Sequence, residues 1–113
     1  MAPVTSVEGA AAPWENYSEG IEKQVLRAAE GESRVLLRVA AGHGYPVHVH
    51  AVPDEVFVMA GTYVDPGVEQ GRAFGPGSYL RYPAGTEHRA TSPTGCTILV
   101  WSTRAPAQPS KRG

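Results

Sequence analysis

GHGYPVHVHAVPDEVFVMAG, residues 42–61, holds two period-two stretches on either side of a turn. In the first, imidazoles alternate with valines. An extended chain throws successive side chains to opposite faces, so His48 and His50 share one face and Val47 and Val49 the other. Past Val52-Pro53 the alternation resumes. Val56, Val58 and Ala60 share the parity of Asp54 and are expected to line the interior, with Phe57 and Met59 opposite. Outward from this stretch the grain is the same. Strands are expected at 22–28, 34–40, 45–50, 55–64, 78–82, 88–91 and 97–103, parted by turn signals such as Pro66-Gly67, Gly75-Pro76-Gly77 and Pro93-Thr94-Gly95. Residues 34–39 suit a helix by composition, but their shortness and the flanking glycines favour a strand. Many short strands with almost no helix imply an all-β fold, a small β-barrel or sandwich.

Thirteen glycines and ten prolines in 113 residues fit that density of reversals, and 42% apolar residues supply a core for one domain. Ten basic against eleven acidic residues leave a net charge of −1, so no nucleic-acid or anionic-membrane partner is expected. No apolar run approaches the ~20 residues that cross a bilayer. Cys96 is the only cysteine and cannot form an internal disulfide. No basic residue precedes Lys23, which argues against a secretory signal and for the cytoplasm. Residues 1–19 read as a flexible N-terminal arm that Trp14 and Tyr17 can anchor, 20–103 as the domain, and 104–113 as a flexible C-terminal tail.

Two imidazoles on one strand face are half of a metal site. Asp54 and Glu55 follow just past a turn, and His88 comes after Pro83-Ala84-Gly85, from where an adjacent strand would offer a third nitrogen. Such a set suits one divalent transition metal ion: iron, zinc, nickel, manganese or copper. An HxH pair on an exposed strand is also commonly just solvated, and spacing alone leaves both readings open. His43, in a Gly-His-Gly turn, reads as an exposed loop residue. By alternation Tyr79 and Arg81 share one face of their strand and Leu80 and Tyr82 the other, and either tyrosine hydroxyl is a candidate donor to a substrate. Trp101 reads as core or interface and Cys96 as structural. Apolar residues on both faces of 56–59 call for a second covering layer, and a homodimer with an exchanged N-terminal strand would provide one.

The two segments resemble the two motifs of the cupins. Gly42, His48, His50, Asp54 and Gly61 stand at the positions of G(X)5HXH(X)3E(X)6G. Gly77, Pro83, Gly85, His88 and Ser92 stand at those of G(X)5PXG(X)2H(X)3N. Asp54 replaces the usual Glu and Ser92 the usual Asn. The stretch between the motifs and the following Gly95-Cys96 are similar to the ChrR-like cupins, a subgroup that includes the metal-binding domain of certain zinc anti-sigma factors. The acetylacetone-cleaving dioxygenase is a further small-cupin comparison.

The resemblance implies a jelly-roll, or double-stranded β-helix, over residues 20–103. It implies a metal held by His48, His50 and His88, with Asp54 as the shorter carboxylate; Glu55 is the alternative, but alternation turns it outward. It implies a metal-dependent enzyme on a small-molecule substrate, a dioxygenase or an isomerase or cyclase. The alternatives are a metal-dependent sensor of the anti-sigma type and a metal-free binding barrel. An anti-sigma factor needs a separate sigma-binding domain for which 113 residues leave no room, and every cupin histidine is kept, so the enzyme is the expectation.

Overall fold

The computed structural model describes residues 3–104, so nearly all of the expected C-terminal tail lies outside the described residues. Within them strands follow one another at short intervals: β1 (Glu15–Ser18), β2 (Ile21–Ala29), β3 (Glu32–Val39), β4 (His43–Gly44), β5 (His48–Val49) and β6 (Asp54–Gly61). Then come β7 (Tyr63–Val64), a short 3-10 turn (Glu69–Gly71), β8 (Ala73–Phe74) and β9 (Tyr79–Tyr82). The series ends with β10 (Glu87–His88), β11 (Thr91–Ser92) and β12 (Cys96–Thr103). No α-helix occurs among the described residues.

One six-stranded antiparallel sheet, ordered β1-β2-β3-β12-β6-β9, packs against two short sheets, β4-β11-β7-β8 and β5-β10. The hydrogen-bonded ladders do not run on into a closed barrel, so the fold is a jelly-roll sandwich. Its core follows from alternation. Val56 and Val58 on β6, Ile98 on β12, Val39 on β3 and Ile21 on β2 are buried against Tyr63 and Ala90 of the opposite layer.

Three expectations are corrected. The strand expected over 55–64 is broken at Gly61, whose φ of 78° suits glycine and where a Cβ would collide with the Gly95 carbonyl oxygen. Ala60 is exposed rather than interior, because a bulge places Ile98 opposite Val58 and Thr97 opposite Ala60, so Met59 is the extra residue. The arm read over 1–19 has structure: β1 pairs with β2 of its own chain, and the Gln24 amide donates to the carbonyls of Gly9 and Ala12 at 2.9 and 3.1 Å. The Trp14 ring lies under the Arg38 guanidinium at 3.9 Å.

Candidate metal centre

The two motif segments meet because β5 and β10 pair antiparallel with His48 directly opposite His88. Residues opposed in this way point to the same face with Cβ atoms ~5 Å apart, and the ring centroids are 4.7 Å apart. The turn at Gly85 reinforces the pairing, its N–H donating to the His50 carbonyl at 2.9 Å. His50 lies 4.7 Å from His48, ring to ring. Val47 and Val49 face solvent, as alternation requires. Asp54, the first residue of β6, is buried and sends Oδ2 to 3.2 Å from His50 Nε2 and 3.9 Å from His88 Nδ1.

Glu55 points the other way, its carboxylate accepting a hydrogen bond from the Tyr79 hydroxyl at 2.5 Å. Tyr79 is therefore on the outer face with its ring 6.1 Å from Trp101, away from the histidines. His43 is half-buried against Gly20 and does not join the cluster. Ser92, at the position where the motif usually has Asn, is buried and donates to the Thr62 carbonyl, a purely structural tie. Cys96 is buried, which pushes its thiol pKa up.

Behind the cluster lies a polar chain that the sequence did not announce. The Tyr82 ring stacks on His88 at 3.6 Å, and its hydroxyl donates to Asp65 Oδ2 at 2.8 Å. That hydroxyl has one proton, so Tyr63 must donate to Tyr82 at 2.8 Å, and Tyr45 in turn to Tyr63 at 3.1 Å. All four side chains are buried, and burial raises the pKa of each tyrosine, so the chain stays protonated and ordered toward Asp65. Asp65 Oδ1 also accepts from the Gly67 N–H at 2.9 Å. The available signal was the inward parity of Tyr82 and a short acidic residue just before Pro66-Gly67.

The donor set fits a first-row divalent ion. His48 Nδ1 donates to the Pro46 carbonyl at 3.1 Å, which leaves Nε2 with its lone pair. Burial, assisted by the neighbouring imidazoles, pushes the His88 pKa down to about 4, so its ring is neutral at physiological pH. Burial raises the Asp54 pKa, while His50 and His48 pull it back. Donor atoms of His48, Asp54 and His88 lie within 4.8 Å of one another. Ligands ~2.1 Å from one ion lie ~3.0–3.5 Å apart at octahedral or tetrahedral angles, so these three side chains would have to close in by about an ångström to hold an ion, and His50, which stands outside this group, would have to swing in. The cluster forms one end of a cavity of about 190 Å³ that Tyr45, Val56 and Leu37 also line.

The same architecture recurs in solved structures. An RmlC-like cupin from Shewanella frigidimarina superposes with a TM-score of 0.78 at 21% identity, covering 90% of this chain and 96% of that one. An acetylacetone dioxygenase from Acinetobacter johnsonii gives 0.75 at 20% identity over 91% and 74%. The complex of Rhodobacter sphaeroides SigE with the anti-sigma ChrR gives 0.71 at 21%, over 81% of this chain and 50% of that one. At such identities these likenesses show the fold alone. Among curated proteins none matches the sequence. The family profile of the ChrR Cupin-like domain, however, runs along residues 4–105, through both histidine segments and every strand described above, and the chain belongs to that family.

Proposed function

We propose that this ChrR-like cupin is a metal-dependent enzyme acting on a small organic molecule, dioxygenase-type first and isomerase or cyclase second. The observation that carries the reading is the convergence of three imidazoles and a buried carboxylate at one end of a cavity, with the His50 side chain still 44% exposed. His48, His50 and His88 would hold one divalent ion (iron, zinc, nickel, manganese or copper), and Asp54 would add a short carboxylate. The ion, when bound, supplies Lewis acidity toward a substrate oxygen and, if it is iron, one-electron chemistry with dioxygen. The chain's own residues do the positioning. The Pro46 carbonyl fixes the His48 tautomer, Tyr82 clamps the His88 ring, and Asp54 Oδ2 orients His50. The apolar wall of Val56 and Leu37 keeps bulk water from the inner end.

Elemental analysis of protein purified without a histidine tag tests the site, and oxygen uptake with β-dicarbonyl compounds tests the reaction class. Uptake supports the dioxygenase. Solvent-deuterium exchange into substrate without uptake supports the isomerase, and absence of bound metal overturns both. A metal-dependent sensor is the second reading, favoured by the family's link to the anti-sigma ChrR. It requires metal or ligand to change stability with no turnover.

The same reading takes the protein as a cytoplasmic homodimer. Exposed Phe57, Met59 and Tyr79 on β6 and β9 support a partner surface, with no exchange of β1 required. Sedimentation showing a 12.0 kDa monomer at micromolar concentration would remove the dimer.

A further inference from the structure

The polar chain behind the histidines meets the site at two places. The Tyr82 ring stacks on His88, and the Tyr45 ring stands 5.2 Å from His48 at a tilt of 56°. Between those rings lies the Tyr63 hydroxyl, which accepts from Tyr45 and donates to Tyr82. Each tyrosine comes from a different part of the fold. Tyr82 ends β9 of the large sheet, Tyr63 opens β7 of the four-stranded sheet, and Tyr45 stands between β4 and β5. The third sheet, β5-β10, carries His48 and His88 but pairs only two residues on each strand, in a ladder joined to neither of the others. A two-stranded pair of that length does not hold its own position. Buried rings from the rest of the molecule meet both imidazoles, and one hydroxyl joins those rings. Tyr63 is 1% exposed and does not line the cavity, and among the described residues its ring pairs with no imidazole.

We propose that Tyr63 is a positioning residue of this site: its hydroxyl locks the ring beside His48 to the ring stacked on His88, and so sets the two opposed imidazoles relative to each other. Support of His88 by itself needs only Tyr82 and Asp65, whereas the link to His48 needs Tyr63. Because Asp65 takes the Tyr82 proton, every bond in the chain has one direction. No hydroxyl can then turn away without leaving a buried neighbour unpaired. This rests on the metal reading for the ion only; where the imidazoles stand is a property of the metal-free chain. It bears on metal binding because the donors have to close in by about an ångström around an ion. Two imidazoles held to one another lose less freedom in closing than two that move separately.

The test is proton NMR of the histidine rings in the metal-free protein, at one pH about two units above the ~6.5 of a free imidazole. His43, which stands apart from the cluster, is the internal reference. Tyr63→Phe keeps the ring and removes only the hydroxyl. It is expected to move the signals of both His48 and His88 toward those of a free imidazole, with His43 unmoved. Tyr45→Phe cuts the chain but spares the bonds from Tyr63 to Tyr82 and Asp65, and is expected to move His48 and leave His88. Ile98→Val trims the same core away from the chain and should move neither. Cobalt titration then reads the consequence. Tyr63→Phe should bind cobalt about tenfold more weakly, the usual loss when a group that holds a ligand in place is removed, and with an altered visible band. Ile98→Val should bind it as wild type does. His88 moving alone in Tyr63→Phe, neither signal moving, or Ile98→Val moving both would overturn the proposal. Unchanged cobalt affinity and band in Tyr63→Phe would overturn it as well. If cobalt binds none of the proteins while both signals move as expected, the metal reading falls and the positioning role stands. If Tyr63→Phe does not fold, Tyr45→Phe decides, and an unmoved His48 signal there removes the link.

Discussion

His88 and His50 belong to one cluster but to two mechanical environments. His88 is 2% exposed, stacked on Tyr82, and backed by the hydrogen-bonded chain that ends at Asp65. His50 stands on the rim with its side chain 44% exposed, just beyond the two-residue β5, and its near partner is Asp54 Oδ2. In the proposed metal site a core-built ligand would be ordered before any ion arrives, whereas a rim ligand would swing to meet it. The difference teaches which half of the site is scaffold and which half adapts.

The largest expected effect comes from removing the scaffold half. His88→Ala and His50→Ala should each strip most bound metal, since a lost imidazole is not replaced by its neighbours. Only His88→Ala should also weaken the metal-free fold, by about 2–4 kcal/mol for a buried ring taken from a packed site. His50→Ala should stay within ~0.5 kcal/mol. Elemental analysis and urea unfolding of the apoproteins separate the two. Full metal occupancy in His88→Ala would dissolve the cluster as a site.

Next comes the brace itself. Asp65→Ala leaves the buried Tyr82 hydroxyl without its acceptor, while the N–H of exposed Gly67 turns to water, which together cost about 1–3 kcal/mol. Tyr82→Phe keeps the stack on His88 and removes one hydroxyl, at about 1–2 kcal/mol. If the brace orders His88, Asp65→Ala should also lower metal affinity by about tenfold. Unchanged affinity in a destabilised variant would make the chain a packing feature with no bearing on the site.

The same comparison has a pH signature. His88 titrates at about 4 in the fold, while an imidazole in the unfolded chain titrates near ~6.5. Between those values the unfolded chain carries the extra proton, so acid favours unfolding. The contribution of His88 is whole above ~6.5 and fades as pH falls toward 4. One proton limits the slope to at most ~1.4 kcal/mol per pH unit. Urea midpoints of the metal-free protein at a series of pH values should fall over this window, and His88→Ala should flatten the curve. An equal slope in both proteins would place the neutral buried imidazole elsewhere.

Alternation made much of this readable from the chain. Asp54, Val56 and Val58 face inward and Phe57 outward because β6 is regular up to its bulge, and the motif spacing brought His88 to the HxH pair. What failed to show was whatever depends on partners far along the chain. Glu-Asn-Tyr-Ser has little strand character, and β1 exists because β2 offers an edge and Gln24 and Arg38 hold the preceding residues. The bulge at Met59 leaves no local mark in a run of apolar residues. Tyr45, Tyr63 and Tyr82 come from separate parts of the chain, and only packing reveals that their hydroxyls form one chain to Asp65.

The smallest expected effect is also the sharpest check on the register of β6. Asp54 and Glu55 are adjacent carboxylates that alternation sends to opposite faces. Asp54 is buried 3.2 Å from His50, while Glu55 is engaged by the Tyr79 hydroxyl on the outer face. Asp54→Ala should weaken metal retention severalfold rather than abolish it, because the imidazoles remain and an Asp is one methylene shorter than the Glu usual at this position. It should also change which ion is preferred, since a carboxylate favours harder ions than an all-nitrogen set does. Glu55→Ala should leave metal stoichiometry at the wild-type value and alter stability by under ~0.5 kcal/mol, the cost of an exposed hydrogen bond. Both variants are measured at one pH, by elemental analysis after dialysis against a weak chelator. Metal absent from Glu55→Ala and kept in Asp54→Ala would mean that β6 sits one residue out of register, which would also turn Val56 and Val58 out of the core.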